Sequence, residues 1–149
     1  VAGLKGEPLP PVIECDLRLD FIDLSPGSAD EHAAAAIPAP YVEDENLRLR
    51  TYRDIASATS HDELKQIEQD LSDRFGRLPA PLRRLFALAR LRIAASGKGI
   101  RKLEVEGDKV MMTRRGDWIM FNNKFPRLKS RQASERIDEL VKLVNQVRG

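Results

Sequence analysis

The sequence predicts a single α+β domain in which a mostly antiparallel sheet packs against three to four helices. Apolar residues alternate with period two over residues 12–22 and again between 100 and 121, a pattern typical of half-buried strands. Between these stretches, apolar residues recur with the 3.6-residue period of amphipathic helices. Because the period changes near Ile100, we expect the strands to form one sheet and the three central helices to pack against it.

The 149 residues are enough for one such domain, which would bury roughly 70% of the surface of the unfolded chain. We expect residues 12–149 to form it, and the Gly- and Pro-rich residues 1–11 to be a linker or a frayed end. The first methionine is Met111, so we expect the chain to be a piece of a longer protein.

The first strand has the clearest pattern, because five apolar residues alternate with charged ones: Ile13, Cys15, Leu17, Leu19 and Phe21. Its charged face should point outward. Residues 23–40 then form a connector with a turn at Pro26-Gly27 and room for one helical turn through the four alanines.

Capping residues mark the first two helices. Asp44 is the expected N-cap of a helix that ends near Ala58, with an apolar stripe of Leu49, Tyr52, Ile55 and Ala56. Ser60 and Glu63 form a capping-box pattern for the second helix, whose buried stripe is Leu64, Ile67, Leu71 and Phe75. Gly76 supplies the left-handed residue that ends it.

The third helix should run from about Pro79 to Ser96 and lie at the centre of the core, because its apolar stripe is wide: Leu82, Leu85, Phe86, Leu88, Ala89, Leu91 and Ile93. Two strands then flank a tight turn at Gly107-Asp108, and a turn at residues 115–117 leads to a third strand at 118–121. A last amphipathic helix is expected from about 131 to 148.

Composition argues against several classes of site. With one cysteine, Cys15, no intramolecular disulfide can form, and the two histidines have no cysteine cluster beside them to hold zinc. No apolar run approaches the roughly 20 residues that span a bilayer. We therefore expect a cytoplasmic domain without a cofactor, a metal ion or a catalytic residue of its own, and no contact with a membrane.

Charge is segregated along the chain although the net charge is only +2. Residues 1–73 carry 6 basic and 16 acidic side chains, and residues 74–131 carry 16 basic and 4 acidic ones. The basic run Arg83, Arg84, Arg90, Arg92, Lys98, Arg101 and Lys102 raises a nucleic-acid hypothesis. The one aromatic residue within this run, Phe86, belongs to the predicted buried stripe of the third helix and offers no base-stacking platform, so solvated helix faces explain most of these side chains.

Two short motifs are interpreted as coincidences. Asp30-Glu31-His32 is similar to the acidic box of helicase-type ATPases, but the chain has no phosphate-binding loop of the form G-x-x-x-x-G-K-[ST]. Arg115-Gly116-Asp117 spells an adhesion tripeptide, but it stands where a hairpin turn is expected.

The second helix carries one unfavourable feature. Asp70 and Asp73 lie near its C-terminal end, where the macrodipole disfavours anions by roughly 0.3–1 kcal/mol each. At 100° per residue both should project from the exposed face, with Arg74 adjacent. A solvated face is the simple interpretation, and an acidic patch for a basic partner surface is the functional one.

Two segments carry a family resemblance. Residues 37–44 (IPAPYVED) and 71–79 (LSDRFGRLP) resemble the C-terminal regulatory domain of the bacterial transcription-repair coupling factor (Mfd) family, whose signature is L-x-D-R-F-G-x-L-P. The similarity continues through Leu91-Arg92 to residues 99–103, so the signature region spans 37–103. The D-R-F-G-x-L-P run is its most specific part.

The resemblance implies a parent protein that is an ATP-dependent DNA translocase, with its motor domains, and their ATP and Mg²⁺, outside this chain. Such a parent displaces stalled RNA polymerase and recruits UvrA for nucleotide excision repair. The family's C-terminal domain clamps onto a UvrB-like N-terminal module of the same chain and masks the UvrA-binding surface. An acidic pair in the signature helix faces basic residues of that module. The matching positions here are Asp70 and Asp73, with Arg74 beside them, and Asp70 replaces the longer Glu often found there.

Two functional hypotheses follow. The first is a non-catalytic autoinhibitory domain that binds protein, with UvrA and RNA polymerase as indirect partners of the parent. The alternative is an independent nucleic-acid-binding module that uses the basic 74–131 segment. We expect protein rather than nucleic acid as the direct partner.

Overall fold

The computed structural model describes residues 13–25 and 32–148, which contain four strands and four helices. The strands are β1 (Asp16–Leu19), β2 (Lys102–Glu106), β3 (Lys109–Arg114) and β4 (Asp117–Ile119). The helices are α1 (Glu45–Ser57), α2 (His61–Phe75), α3 (Ala80–Gly97) and α4 (Ala133–Gln146). The linker expected at 1–11, the turn at Pro26-Gly27, and the residues Asp30 and Glu31 of the acidic box lie outside the described residues.

The strands form one sheet in the order β1-β2-β3-β4. β2, β3 and β4 are antiparallel neighbours, while β1 pairs with β2 in parallel, with Leu17 opposite Leu103. The predicted α+β class with a mostly antiparallel sheet is confirmed. A parallel pair needs a long crossover, and α1, α2 and α3 provide it between β1 and β2.

Tight turns connect the last three strands, as predicted. Residues 107 and 108 form the first turn, and Gly107 has a φ of +62°. Arg115 (φ +54°) and Gly116 (φ +81°) form the second, and a two-residue turn with two positive φ angles matches the right-handed twist of the strands. β4 ends at Ile119, two residues before the predicted end of that strand.

Helix α3 contributes to three hydrophobic clusters, the smallest of which contains Leu88 with Ala35 and Ile137. Its C-terminal part packs under the sheet together with α4 and buries Leu91 and Ala95. Its N-terminal part packs against α1 and α2 and buries Leu82, Phe86 and Ala89. The buried core under the sheet therefore draws on α3 and α4, whereas α1 and α2 pack against α3 instead of the sheet that we predicted for them.

The predicted N-cap of α1 is confirmed, but its predicted stripe is partly wrong. The Asp44 carboxylate accepts hydrogen bonds from the backbone N–H groups of Asn46 and Leu47, at 2.9 and 3.2 Å. Thr51 and Ile55 are the buried residues of the helix, whereas Leu49 is 54% exposed and Ala56 is exposed as well. Leu49 stays outside because α1 packs through its Thr51–Ile55 face.

The alanine segment is not helical, so the helical turn allowed for it is wrong. Ala34 forms a parallel bridge with Asp23, and both Ala34 and Ala35 are buried. Arg84 of α3 is only 6% exposed, and its Nε donates to the Ala34 carbonyl oxygen at 2.7 Å. The backbone N–H groups of Ala35 and Ala36 donate to the carbonyl oxygens of Asp23 and Pro81, at 3.1 and 3.2 Å, so they cannot also donate within a helical turn.

Candidate protein-interaction site at the end of helix α2

The N-terminal cap fixes where α2 begins. The Ser60 hydroxyl oxygen accepts a hydrogen bond from the Glu63 backbone N–H at 3.1 Å, as the capping-box pattern predicts. The Glu63 carboxylate turns to Thr59, whose backbone N–H and hydroxyl donate to it at 3.2 and 3.0 Å. A regular capping box would place this carboxylate on the N–H of Ser60, and here it bonds the N–H of the preceding residue, Thr59. This start sets which face each later residue of α2 occupies.

The buried face of α2 packs against α3. Leu71 and Phe86 are buried in one cluster, and the half-buried Phe75 and Leu85 pack against it. These four side chains therefore pack together, two of them buried and two half-buried. This packing turns the opposite face of α2 toward solvent.

Asp70, Asp73 and Arg74 are all exposed on the last two turns of α2. The Asp70 carboxylate accepts a hydrogen bond from the Gln66 side-chain amide at 2.9 Å. Within the described residues, Asp73 forms no hydrogen bond or ion pair through its side chain. The Arg74 guanidinium lies 5.2 Å from the centre of the Phe75 ring, within the range of a cation–π contact. The structure thus brings the three predicted site residues together on one exposed helix end.

The local electrostatics of this end are unfavourable for two anions. The helix terminates at Gly76, whose N–H donates to the Ser72 carbonyl oxygen at 3.0 Å and whose φ is +88°. The carboxylates of Asp70 and Asp73 lie within about a turn of these terminal carbonyl groups, which carry the negative end of the macrodipole. A cationic partner at this surface would relieve the repulsion.

Tyr41 holds the end of α2 in place. Its hydroxyl lies 2.6 Å from the Gly76 carbonyl oxygen and 3.2 Å from that of Leu71, and its ring is 5.7 Å from the Phe75 ring. Partial burial raises the pKa of this phenol. Tyr52 supports the same segment, because its hydroxyl oxygen accepts a hydrogen bond from the Ile37 N–H at 2.7 Å. The two segments that carry the family resemblance therefore meet at the candidate site.

Sequence reasoning missed Gln66 and the anchoring role of Tyr41. A glutamine four residues before an aspartate is a recognised helix pair, so the first was available from spacing. The Tyr41–Gly76 contact joins residues 35 positions apart and has no local signal.

The basic run at residues 83–102 is largely engaged within the fold. Arg84 is buried, which corrects the interpretation of this residue as part of a solvated face. Three others form ion pairs with nearby carboxylates: Arg90 with Glu68, Arg101 with Glu14, and Lys102 with Glu104.

The remaining candidate residues from the sequence have structural roles in turns and in the core. Arg115 and Gly116 form the β3–β4 turn, as predicted. Cys15 is buried, and burial raises the pKa of its thiol to about 11. Within residues 13–25 and 32–148, no group of three or more His, Cys, Asp and Glu side chains could hold a metal ion. None of the helices in that part of the chain is long and apolar enough to cross a membrane.

Comparison with known proteins identifies relatives of more than half of the chain. The family model of the TRCF domain matches residues 32–117. The chain is 50% identical over 68 residues, 46% of its length, to the transcription-repair-coupling factor of Escherichia coli K12. It is 46% identical over 85 residues, 57% of its length, to the protein of the same name from Mycobacterium tuberculosis CDC 1551. The chain covers 6% of the length of each of these relatives.

A solved structure shares the fold. The crystal structure of the C-terminal domain of a transcription-repair coupling factor superposes with a TM-score of 0.58 and 17% identity. The match covers 68% of this chain and 56% of that one. At this identity the likeness shows the fold alone.

Proposed function

The chain belongs to the TRCF domain family, and from this membership we propose that it is a non-catalytic, autoinhibitory protein-interaction domain of a transcription-repair coupling factor. It clamps onto a UvrB-like N-terminal module of its parent protein and masks the surface that UvrA binds. Asp70 and Asp73 make the contact, with Arg74 beside them. The parent is an ATP-dependent DNA translocase that acts on stalled RNA polymerase, and its motor domains lie outside this chain.

One observation carries the proposal: two exposed carboxylates stand at the end of a helix whose dipole opposes them. The domain itself offers little compensation, because Asp70 is paired with a neutral amide and the nearby Arg74 lies over Phe75. A basic surface on a partner would satisfy both carboxylates at once.

The rigid backbone at the end of α2 also supports the proposal. The backbone that presents Asp73 is fixed on its inner side by Leu71 in the core and at its end by the Tyr41 hydroxyl on the Gly76 carbonyl. A preorganised site loses little conformational entropy on binding, so a small charged contact can contribute measurably to affinity. The same arrangement fits a clamp that must close and open repeatedly.

The proposal is tested by measuring the affinity of the 149-residue chain for the separately purified UvrB-like module. We expect Asp70→Ala with Asp73→Ala to weaken binding at least tenfold, because a charge pair that loses one partner in a partly desolvated contact costs about 2–5 kcal/mol. Raising the salt concentration should weaken wild-type binding and leave the double variant nearly unchanged.

Helix α4 provides a matched control. Glu135 and Asp138 are also exposed acidic residues three positions apart on a helix. Glu135→Ala with Asp138→Ala removes the same charge and should leave the affinity within about twofold of wild type, as expected for surface charges outside a contact. Equal affinities for both double variants would overturn the proposed role of the Asp70–Asp73 pair.

A further inference from the structure

The outer face of the sheet presents an exposed aromatic residue. Side chains on β2 and β3 that point toward the helices, such as Val105 and Met112, lie in the core cluster. Trp118 is registered opposite Thr113, one position out of phase with Met112, so it projects from the other face. Its side chain is among the large hydrophobic ones that remain exposed, at 50%.

Neighbouring groups hold this indole in a defined position. The Phe125 ring packs edge to face against Trp118, with ring centres 5.6 Å apart and planes at 84°. The Lys109 ammonium lies 4.6 Å from the centre of the same Phe125 ring. Met120, two residues after Trp118, is also exposed. The result is an aromatic surface with a cation beside it, open to solvent.

The segment around Trp118 is strongly basic, although the outer face of the neighbouring strand β2 carries Glu104, which pairs with Lys102, and Glu106, which lies opposite Lys109. Residues 109–131 contain seven Lys and Arg residues and one acidic residue, Asp117. Two of the seven are engaged elsewhere: Arg127 pairs with Asp108 at 2.6 Å, and Arg114 donates to the Arg148 carbonyl oxygen at 2.6 Å. Lys109, Arg115 and Lys124 form no ion pair within the described part of the chain, and the last two are exposed.

We propose that the outer face of the sheet around Trp118 binds single-stranded nucleic acid, with a base stacked on the indole and Lys109, Arg115 and Lys124 contacting phosphates. Exposed aromatic rings beside cations form the stacking platform and charged groove of such sites. Every base has a π face, so binding does not depend on sequence. The site uses residues other than the Asp70–Asp73 pair and goes beyond the proposed clamp.

Single strands fit this surface better than duplexes or peptides. A stacked duplex hides its base faces, and in the described part of the chain the helices that pack on the sheet, α3 and α4, lie on its other face. An acidic peptide would satisfy the cations but has no planar group that requires an exposed indole.

Because Trp118 is the only tryptophan, its fluorescence reports stacking directly. We expect an oligothymidylate of about 12 nucleotides, a length within the range of known single-strand sites, to quench the emission of the 149-residue chain at low salt. A labelled copy of the oligonucleotide should show the same affinity by anisotropy. A duplex of equal length should bind at least tenfold more weakly.

Three variants test the roles of the residues. Trp118→Ala should weaken oligonucleotide binding by about tenfold to hundredfold, the effect of losing one stacked base. Arg115→Gln and Lys124→Gln should each reduce the slope of log affinity against log salt by about 0.7. Lys65→Gln, which removes an exposed lysine from α2, is the charge-matched control and should change neither quantity. Circular dichroism verifies that each variant is folded.

The proposal is overturned if the wild-type chain neither quenches nor binds the labelled oligonucleotide at low salt. It is equally overturned if the folded Trp118→Ala variant binds as tightly as wild type, or if duplex and single strand bind alike. Quenching by an oligoglutamate peptide where oligothymidylate has no effect would assign the surface to an acidic protein partner instead.

Discussion

The hydroxyl of Tyr41 donates a hydrogen bond to the carbonyl oxygen of Gly76 at 2.6 Å. This contact joins the IPAPYV segment to the end of the helix that carries the D-R-F-G-x-L-P run. It explains why residues so far apart in sequence belong to one structural unit. The acidic pair is presented from a helix end that is held from two sides.

Tyr41→Phe should reduce the free energy of unfolding by about 0.5–1.5 kcal/mol, because it removes this hydrogen bond and keeps the ring. Tyr41→Leu should cost more, since it also removes the contact between the Tyr41 and Phe75 rings. Urea unfolding followed by circular dichroism measures both. A Tyr41→Phe variant as stable as wild type would show that the phenol contributes nothing to the helix end.

Phe86→Ala should cost about 3–5 kcal/mol, because the fully buried ring leaves a cavity that α1, α2 and α3 cannot close. Leu49→Ala is the control from α1, and its exposed side chain predicts a change within about 0.5 kcal/mol. Urea midpoints of the two variants separate these outcomes. A loss below about 1 kcal/mol for Phe86→Ala would contradict the assigned core.

The Cys15 thiol should react slowly in the native chain. Burial raises its pKa to about 11 from the ordinary 9.0, so at pH 8 the thiolate fraction falls about 100-fold. The neutral thiol stabilises the fold below the unfolded pKa, and this stabilisation is lost as pH rises through about 11. Reaction with a disulfide reagent in buffer and in urea provides the comparison, and equal rates would refute the burial of Cys15.

The Glu139 carboxylate should make the free energy of unfolding depend on pH in the acidic range. Partial desolvation acts to raise its pKa, but hydrogen bonds from the N–H groups of Ser130 and Lys129, at 2.6 and 2.9 Å, lower it overall. Its stabilisation is therefore present above the unfolded pKa and lost as pH falls through the lower folded pKa. Glu139→Gln should cost a few tenths to about 1 kcal/mol at pH 7, and this cost should disappear as the pH falls through the folded pKa of the carboxyl group. A pH-independent difference in urea midpoint would contradict this account.

Local signals in the sequence predict the elements of this fold well. Asp44, Ser60 and Gly76 mark helix boundaries that the structure confirms, because caps and left-handed ends depend on neighbouring residues. The two hairpins follow from Gly107 and Gly116 for the same reason.

Relationships between distant segments could not be predicted in this way. The parallel pairing of Leu17 with Leu103 joins residues 86 positions apart, and alternation alone does not give strand order. Nothing in the local pattern shows that α3 contributes to three separate hydrophobic clusters. For this reason α1 and α2 were expected to pack on the sheet, and Leu49 was expected in the buried stripe of α1. The burial of Arg84 depends on the Ala34 carbonyl, which comes from another segment.

The candidate site was predictable in position, because helix geometry places Asp70 and Asp73 outward. Its support was not predictable, since Tyr41 reaches it through the tertiary fold. In the isolated domain, the Asp70→Ala, Asp73→Ala double substitution should leave the free energy of unfolding unchanged or raise it slightly. The reason is that it removes two carboxylates that the negative end of the helix macrodipole repels.

The most direct measurement is the affinity of UvrA for the full-length parent protein, compared between wild type and the Asp70→Ala, Asp73→Ala double variant at one ionic strength. A clamp poised by a few kcal/mol shifts toward its open state when the acidic contact is lost. We therefore expect the double variant to bind UvrA more tightly than wild type, while the Glu135→Ala, Asp138→Ala control matches wild type. Equal affinities for wild type and a folded Asp70→Ala, Asp73→Ala variant would contradict it.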